Sequence, residues 1–241
     1  MERREFLVLG LGLAMTSFAK PLRRLNYESD NLILTGKASP ELFGKSHRLV
    51  KSASNAYEAM KKEASKEGIN LYSVSSYRNF EKQTMLWNRK FTKYKEGGLD
   101  DLASLNKILE YSALPGASRH HWGTDIDLSD LNVMQPADVL NPKHFKKGGV
   151  YEKLGDWLAK NAENFGFYEA YTEDPNRPGF HYEPWHYSYA EVSKPFLEQF
   201  LHIDFNTQIK DAKVMGHELM DEAFWEKYKT EFVLGINSKL K

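Results

Sequence analysis

Four of the chain's 8 histidines fall at positions 120, 121, 181 and 186. The first two sit in Ser118-Arg119-His120-His121-Trp122-Gly123-Thr124-Asp125-Ile126-Asp127, the others in His181-Tyr182-Glu183-Pro184-Trp185-His186. Zinc in hydrolytic enzymes takes three protein ligands, commonly imidazole nitrogen and carboxylate oxygen, and keeps a fourth position for water. A carboxylate outside the ligand set must then accept that water's proton. One His and one Asp from the first window, with a His and a Glu from the second, meet both needs. Spacing alone leaves the choice open. His120 and Asp127 differ by an odd number of residues, which would place them on opposite faces of a regular strand. Gly123 predicts a turn there, so that His120 approaches from a loop while Asp127 points from a strand. Asp125 shares the Asp127 face and is a possible ligand, and His121 competes with His120. Pro184 lacks an N–H and discourages a continuous helix between Glu183 and His186.

The bulk composition narrows the chemistry further. The chain has no cysteine, which excludes disulfides, thiolate zinc sites, iron–sulfur clusters and a cysteine nucleophile. Lys+Arg 33 against Asp+Glu 33 gives no net charge, so no nucleic-acid partner is expected and a charged ligand must be met locally. With 241 residues, 41% of them hydrophobic, the chain is expected to form one globular domain with appendages.

Those windows need elements to hold them. Arg3 and Arg4 precede an uncharged run from Phe6 to Ala19, shorter than the ~20 residues that span a bilayer. With Ser17-Phe18-Ala19 as a small-x-small site, residues 1–19 read as a secretory signal peptide. Arg3-Arg4-Glu5-Phe6-Leu7 also resembles a twin-arginine signal. The mature protein is thus expected in the periplasm or cell envelope, without a membrane span, after a linker over 20–38. Ser39-Pro40-Glu41 predicts a helix start, and Leu49, Ala53, Tyr57, Met60 and Ala64 keep helical spacing until Gly68. A strand over 69–75, an Asn79-capped helix ending at Gly97-Gly98, a helix over 99–112 and a strand over 124–128 follow. Residues 129–149 read as a long loop or insertion. A helix over 151–165 stops at Gly166, and strands over 167–172 and 181–189 flank the turn-rich 174–179. After Pro195 the pattern is helical, either a packed appendage or a partner surface. This order favours an α+β fold.

Ser118-x-His120-x-x-Gly123-x-x-x-Asp127, then Glu183-x-Trp185-His186 about sixty residues later, with Ser75-Ser76-Tyr77-Arg78 and Gln83 upstream, resembles the zinc D-alanyl-D-alanine carboxypeptidases and dipeptidases of the VanY and VanX kind. The wider group also holds hedgehog signalling domains. The resemblance covers about residues 40–190. It implies an α+β domain with a central antiparallel sheet flanked by helices and a zinc cleft, bounded here at 39–193; the helical pattern that follows makes 194–241 a helical C-terminal extension. Carried over by position, His120, Asp127 and His186 would bind zinc, and Glu183 would be the general base. Arg78 would lie near the substrate's carbonyl or carboxylate, and Ser118, Gln83 and Tyr77 would contact substrate. Asp125 departs from the family's usual small apolar residue. Trp185 is expected as a packing wall, and His181 and Tyr182 either beside the ligands or in ordinary sheet packing. The function implied is an exported zinc carboxypeptidase trimming peptidoglycan stem peptides of the D-Ala-D-Ala type. An L,D-carboxypeptidase or murein endopeptidase would use the same site. A non-catalytic zinc-stabilised binding domain is the alternative of another class, and Glu183 argues against it.

Overall fold

The computed structural model describes residues 27–204, 209 and 213–241. The expected signal peptide and residues 20–26 of the expected linker lie outside them. Among the described residues no helix is long and apolar enough to cross a membrane.

Four strands, β1 (Leu71–Ser75), β2 (Asp125–Asp130), β3 (Phe167–Glu169) and β4 (His186–Tyr189), form one sheet in the order β1-β2-β4-β3. Every pairing is antiparallel, so the α+β architecture with a central antiparallel sheet is present. The α-helices bounded among the described residues are α1 (Tyr27–Leu34), α2 (Lys51–Lys66), α3 (Phe80–Glu96), α4 (Asp101–Leu109), α5 (Glu152–Asn161), α6 (Ala190–Phe200) and α7 (Glu222–Lys227).

The sheet's two faces have opposite chemistry, and β2 shows why. Ile126 and Leu128 are fully buried in an apolar core shared with Tyr57 and Met60 of α2 and Leu154 and Leu158 of α5. Alternation along the strand then sends Asp125 and Asp127 to the other face. Each large apolar side chain so buried stabilises the fold by roughly 1.5–3 kcal/mol, which holds the register that sets the two carboxylates. A second core joins Trp87 and Phe91 of α3, Leu105 and Ile108 of α4, and Leu197 and Phe200 of α6. The chain's end completes it: Val214, Met220, Tyr228 and Leu240 are buried there, and Trp87 Nε1 donates to the Met215 carbonyl at 2.9 Å. The C-terminal segment therefore shares the core of α3 and α4.

Some boundaries differ from expectation. Ser39-Pro40 does not start a helix; α2 begins after Val50, because Phe43 and Leu49 pair as an isolated β-bridge and Val50 N–H donates to Gly123 O at 2.8 Å. Tertiary pairing overrides the local cap signal. The expected linker is helical over α1, and Leu34 is buried in the second core. The expected boundary at 193/194 falls inside α6, which carries Pro195. Strand β4 starts only at His186, because Glu183 to His186 forms a turn closed by His186 N–H to Glu183 O at 3.0 Å. The Asn79 cap is present, its side chain accepting from Lys82 N–H at 2.9 Å.

Candidate metal centre and catalytic cleft

The central strand pair sets the site. Asp127 of β2 lies directly opposite His186 at the start of β4, with Asp127 Oδ1 3.7 Å from His186 Nδ1. His120 arrives from a short 3₁₀ turn, Arg119–Trp122, which ends at Gly123 in the left-handed region (φ 67°). A side chain there would meet Leu42, so glycine permits both the turn and the close packing. The turn places His120 Nε2 3.4 Å from Asp127 Oδ2. The other ring nitrogen, Nδ1, donates to the Ser76 carbonyl at 2.7 Å. That carbonyl follows a bulge in β1 at Val74, between the pairs Ser73–Leu128 and Ser75–Asp127. Bulges redirect the backbone beside functional sites.

These three residues fit a zinc ion. His120 Nε2 and Asp127 Oδ1 are buried and have no hydrogen-bond partner. One ligand atom from each of His120, Asp127 and His186 lies within 4.8 Å of the others. A tetrahedral zinc with bonds of ~2.1 Å separates its ligand atoms by about 3.4 Å, close to the 3.4 and 3.7 Å distances here. Buried orphan donors and acceptors are costly without a partner, and a divalent cation would supply it.

The two competing candidates, His121 and Asp125, have other partners. His121 is fully buried, but its Nδ1 donates to the Arg78 carbonyl at 2.6 Å and its Nε2 accepts from Gly116 N–H at 3.1 Å. Burial holds its pKa down to about 3, so it is a neutral pin for the Arg78 segment. Asp125 is not in the ligand group either: its Oδ1 accepts from His186 Nε2 at 3.0 Å and from Arg119 Nε at 2.9 Å. His186 therefore turns Nδ1 toward Asp127 and toward Glu183, whose Oε2 is 3.0 Å away.

A cleft of about 250 Å³ opens beside this group, lined by Arg78, Gln83, Ser118, His120, Asp127, Glu183, Trp185 and His186 among others. Arg78 Nε and Gln83 Oε1 are buried without a partner, while Gln83 Nε2 donates to Ala113 O at 2.7 Å. Trp185 is a cleft wall, its ring packed on Phe145. Tyr77, expected to contact substrate, lines a neighbouring groove instead, with the Arg48 guanidinium over its ring. Arg78 lines both the cleft and this groove, whereas Tyr77 N–H donates to Arg48 O at 3.1 Å and its ring stays on the Arg48 side. His181 is exposed and packs edge-on against Tyr111, and the Tyr182 ring carries Lys146.

The cleft also contains residues that the motifs do not mark. Lys90 of α3 lines it and donates to Ser112 Oγ, and the Tyr171 ring packs edge-on against His186 at 4.9 Å. Lys90 is seven residues beyond Gln83, two helical turns along the same face; that spacing was the available signal.

Charge is arranged accordingly. Burial and then the Arg78 cation push the His120 pKa down, leaving a neutral imidazole suited to ligation. Burial opposes ionisation of Asp127, yet neighbouring His120 and His186 bring its pKa below the ordinary value. Burial pushes the Glu183 carboxyl up, with His186 pulling the other way. For His186 burial favours neutrality, but hydrogen bonds to Asp125 and Glu183 and the nearby Asp127 raise its pKa to about 10. The same clustered carboxylate oxygens that hold a proton there would hold a divalent cation.

Fold and site together define an α+β domain built around a His-Asp-His metal cradle with an adjacent, unligated glutamate. The family profile described as VanY, D-alanyl-D-alanine carboxypeptidase, matches residues 46–192, and the chain belongs to this family of zinc metallopeptidases. A D-alanyl-D-alanine carboxypeptidase of Enterococcus faecalis (strain ATCC 700802 / V583) is 30% identical over 127 residues, 52% of this chain and 42% of that protein. One from Enterococcus faecium is 26% identical over 180 residues, 72% of this chain and 49% of that protein. The chain thus spans about half the length of these curated relatives. Among solved structures, VanYB in complex with D-alanine-D-alanine aligns with a TM-score of 0.54 at 22% identity, covering 73% of this chain and 92% of that one. A variant of the vancomycin-resistance D,D-pentapeptidase VanY in complex with Zn(II) aligns at 0.52 and 21% identity, covering 76% and 90%. At such identities these two structures establish the shared fold.

Proposed function

We propose that this protein is an exported zinc carboxypeptidase that removes the C-terminal residue from peptidoglycan stem peptides of the D-Ala-D-Ala type. The observation that carries the reading is the pairing of two buried, partnerless ligand atoms, on His120 and Asp127, with a glutamate on the same cleft that stands outside the metal group. A purely structural metal site has no use for that glutamate. Family membership and the relatives named D-alanyl-D-alanine carboxypeptidase support the substrate class, and the arginine-led apolar run before Ala19 supports export.

Bound through His120, Asp127 and His186, zinc supplies a Lewis acid and lowers the pKa of water. Glu183 takes the proton of the attacking water and returns it to the departing amine. Arg78, always protonated, stabilises negative charge at the scissile carbonyl or the substrate carboxylate through its fork of donors. Ser118 and Gln83 offer neutral hydrogen bonds on the same wall, and Tyr77 stands outside this set.

The test is mass spectrometry of purified muropeptides before and after incubation, with metal content measured on the same preparation. Loss of one terminal D-alanine from pentapeptides, abolished by chelation and restored by zinc, is expected. Stoichiometric zinc with no residue released would leave only the binding-domain reading. Cleavage of tetrapeptides or of crosslinks instead would move the assignment to the L,D or endopeptidase variant.

A further inference from the structure

Behind the metal cradle lies a buried network that the proposed reaction does not use. Asp125 is 0% exposed, and both of its oxygens are occupied. Oδ1 accepts from His186 Nε2 at 3.0 Å and Arg119 Nε at 2.9 Å; Oδ2 accepts from Thr124 Oγ1 at 2.5 Å and Ser188 Oγ at 3.0 Å. Arg119 is 5% exposed, donates from Nη2 to Ser188 Oγ at 2.6 Å, and stacks on the Trp122 ring 4.7 Å away. A buried carboxylate without a countercharge costs several kcal/mol, so Arg119 is what permits Asp125 to be there ionised.

We infer that Asp125 is a positioning residue for the metal centre, fixing His186 by its Nε2–H with Nδ1 turned to the ion, and that Arg119 is its dedicated countercharge. Two observations carry this. The register puts Asp125 and Asp127 on one face of β2, opposite Ser188 and His186, so the two carboxylates reach the two ends of one imidazole. Each of the two ring nitrogens has a separate neighbourhood: Asp125 at Nε2, Asp127 and Glu183 at Nδ1. With Nε2–H committed to Asp125, a ring that gives up its Nδ1 proton to a metal has one tautomer and one orientation, and such outer carboxylates also raise ligand basicity. The pairing also accounts for the departure seen at position 125. An aspartate in place of a small apolar residue is tolerated because an arginine six residues earlier folds back over the same 3₁₀ turn.

The inference rests on His186 being a metal ligand, so the experiment separates the two. Zinc affinity of the native chain is first measured by competition with a chromophoric chelator; absence of a one-to-one site there defeats the ligand assignment itself. Because Asp125→Ala alone strands a buried guanidinium, the variants are the double changes Arg119→Leu/Asp125→Ala and Arg119→Leu/Asp125→Asn, compared as folded proteins by circular dichroism. Asparagine retains an oxygen that accepts from Nε2–H; alanine does not. The alanine pair is expected to bind zinc 10–100-fold more weakly, with the asparagine pair recovering most of the loss. The cobalt-substituted spectrum should broaden only in the alanine pair. Native affinity in the alanine pair, or an asparagine pair no better than the alanine pair, overturns the inference.

Discussion

Glu183 Oε2 stands 3.0 Å from His186 Nδ1, three residues away across one turn, so the proposed base and a metal ligand are fixed relative to each other by the backbone. Replacing the carboxylate by an amide of the same shape keeps this turn and the cradle. Glu183→Gln is therefore expected to retain one zinc per chain and substrate KM while kcat falls about 10²–10⁴-fold, the range of a lost general base. A variant with more than a tenth of native turnover would remove Glu183 from the proton transfer.

The pH profile follows from the same carboxyl. Burial pushes its pKa up, with His186 tempering the shift, and the base must be ionised to accept a proton. Activity should thus fall as pH drops through a value above the ordinary glutamate range of about 4.3, before any loss of metal. Initial-rate measurements from pH 4 to 9 at saturating zinc check it. An acid limb at or below about 4.3 would contradict the buried environment.

Lys90 supplies a second cation to the cleft wall that holds Arg78. Burial lowers its pKa while Glu183 opposes the change. Its distance along α3 from the motif residues suits it to bind substrate rather than to move protons. Lys90→Met, which keeps most of the stem, is expected to raise KM about tenfold or more, in line with one lost charge-assisted hydrogen bond, with kcat changed less than twofold. The opposite split, kcat lost at constant KM, would place Lys90 in the chemical step.

What the sequence made legible was local in origin. His120 and Asp127 share one window and Glu183 and His186 one turn, and the two windows meet because β2 and β4 pair in a single register. The glycine turn at 123 and the Asn79 cap were readable because both depend on nearest neighbours. Lys90 was not marked, since it enters the cleft only when α3 docks beside the sheet. Nor was the role inferred for Asp125, which depends on Arg119 folding back and on which nitrogen of His186 faces Asp127. The false helix start at Ser39 has the same cause: the Phe43–Leu49 bridge is a tertiary decision.

Away from the cleft, Glu169 at the end of β3 has its pKa raised to about 7, chiefly by burial, with Arg177 pulling it down. A carboxyl raised on folding favours the protonated native state. Its stabilisation is complete below the unfolded value of about 4.3 and is lost as pH rises through 7. Glu169→Gln should match the native chain in thermal stability near pH 4 and exceed it by roughly 3 kcal/mol at pH 8. Equal melting temperatures at both values would show that the carboxyl ionises at no cost in the fold.

Gly36 tests whether the segment before the motifs belongs to the domain. It follows α1 with φ 74°, and a Cβ there would lie 2.4 Å from His121 Nδ1, the nitrogen that donates to the Arg78 carbonyl. Its own carbonyl accepts from Phe80 N–H at 2.8 Å, at the start of the helix that carries Gln83 and Lys90. Gly36→Ala therefore combines left-handed strain of roughly 1–2 kcal/mol with displacement of a buried hydrogen-bonded ring, about 1–3 kcal/mol more. For a domain of this size that total of roughly 2–5 kcal/mol corresponds to a fall in Tm of about 4–20 °C. Because the displaced ring anchors Arg78, turnover should drop even at temperatures where the variant is fully folded, while zinc content stays at one per chain. A Tm and kcat equal to those of the native chain would mean that α1 and the turn after it do not brace the cleft.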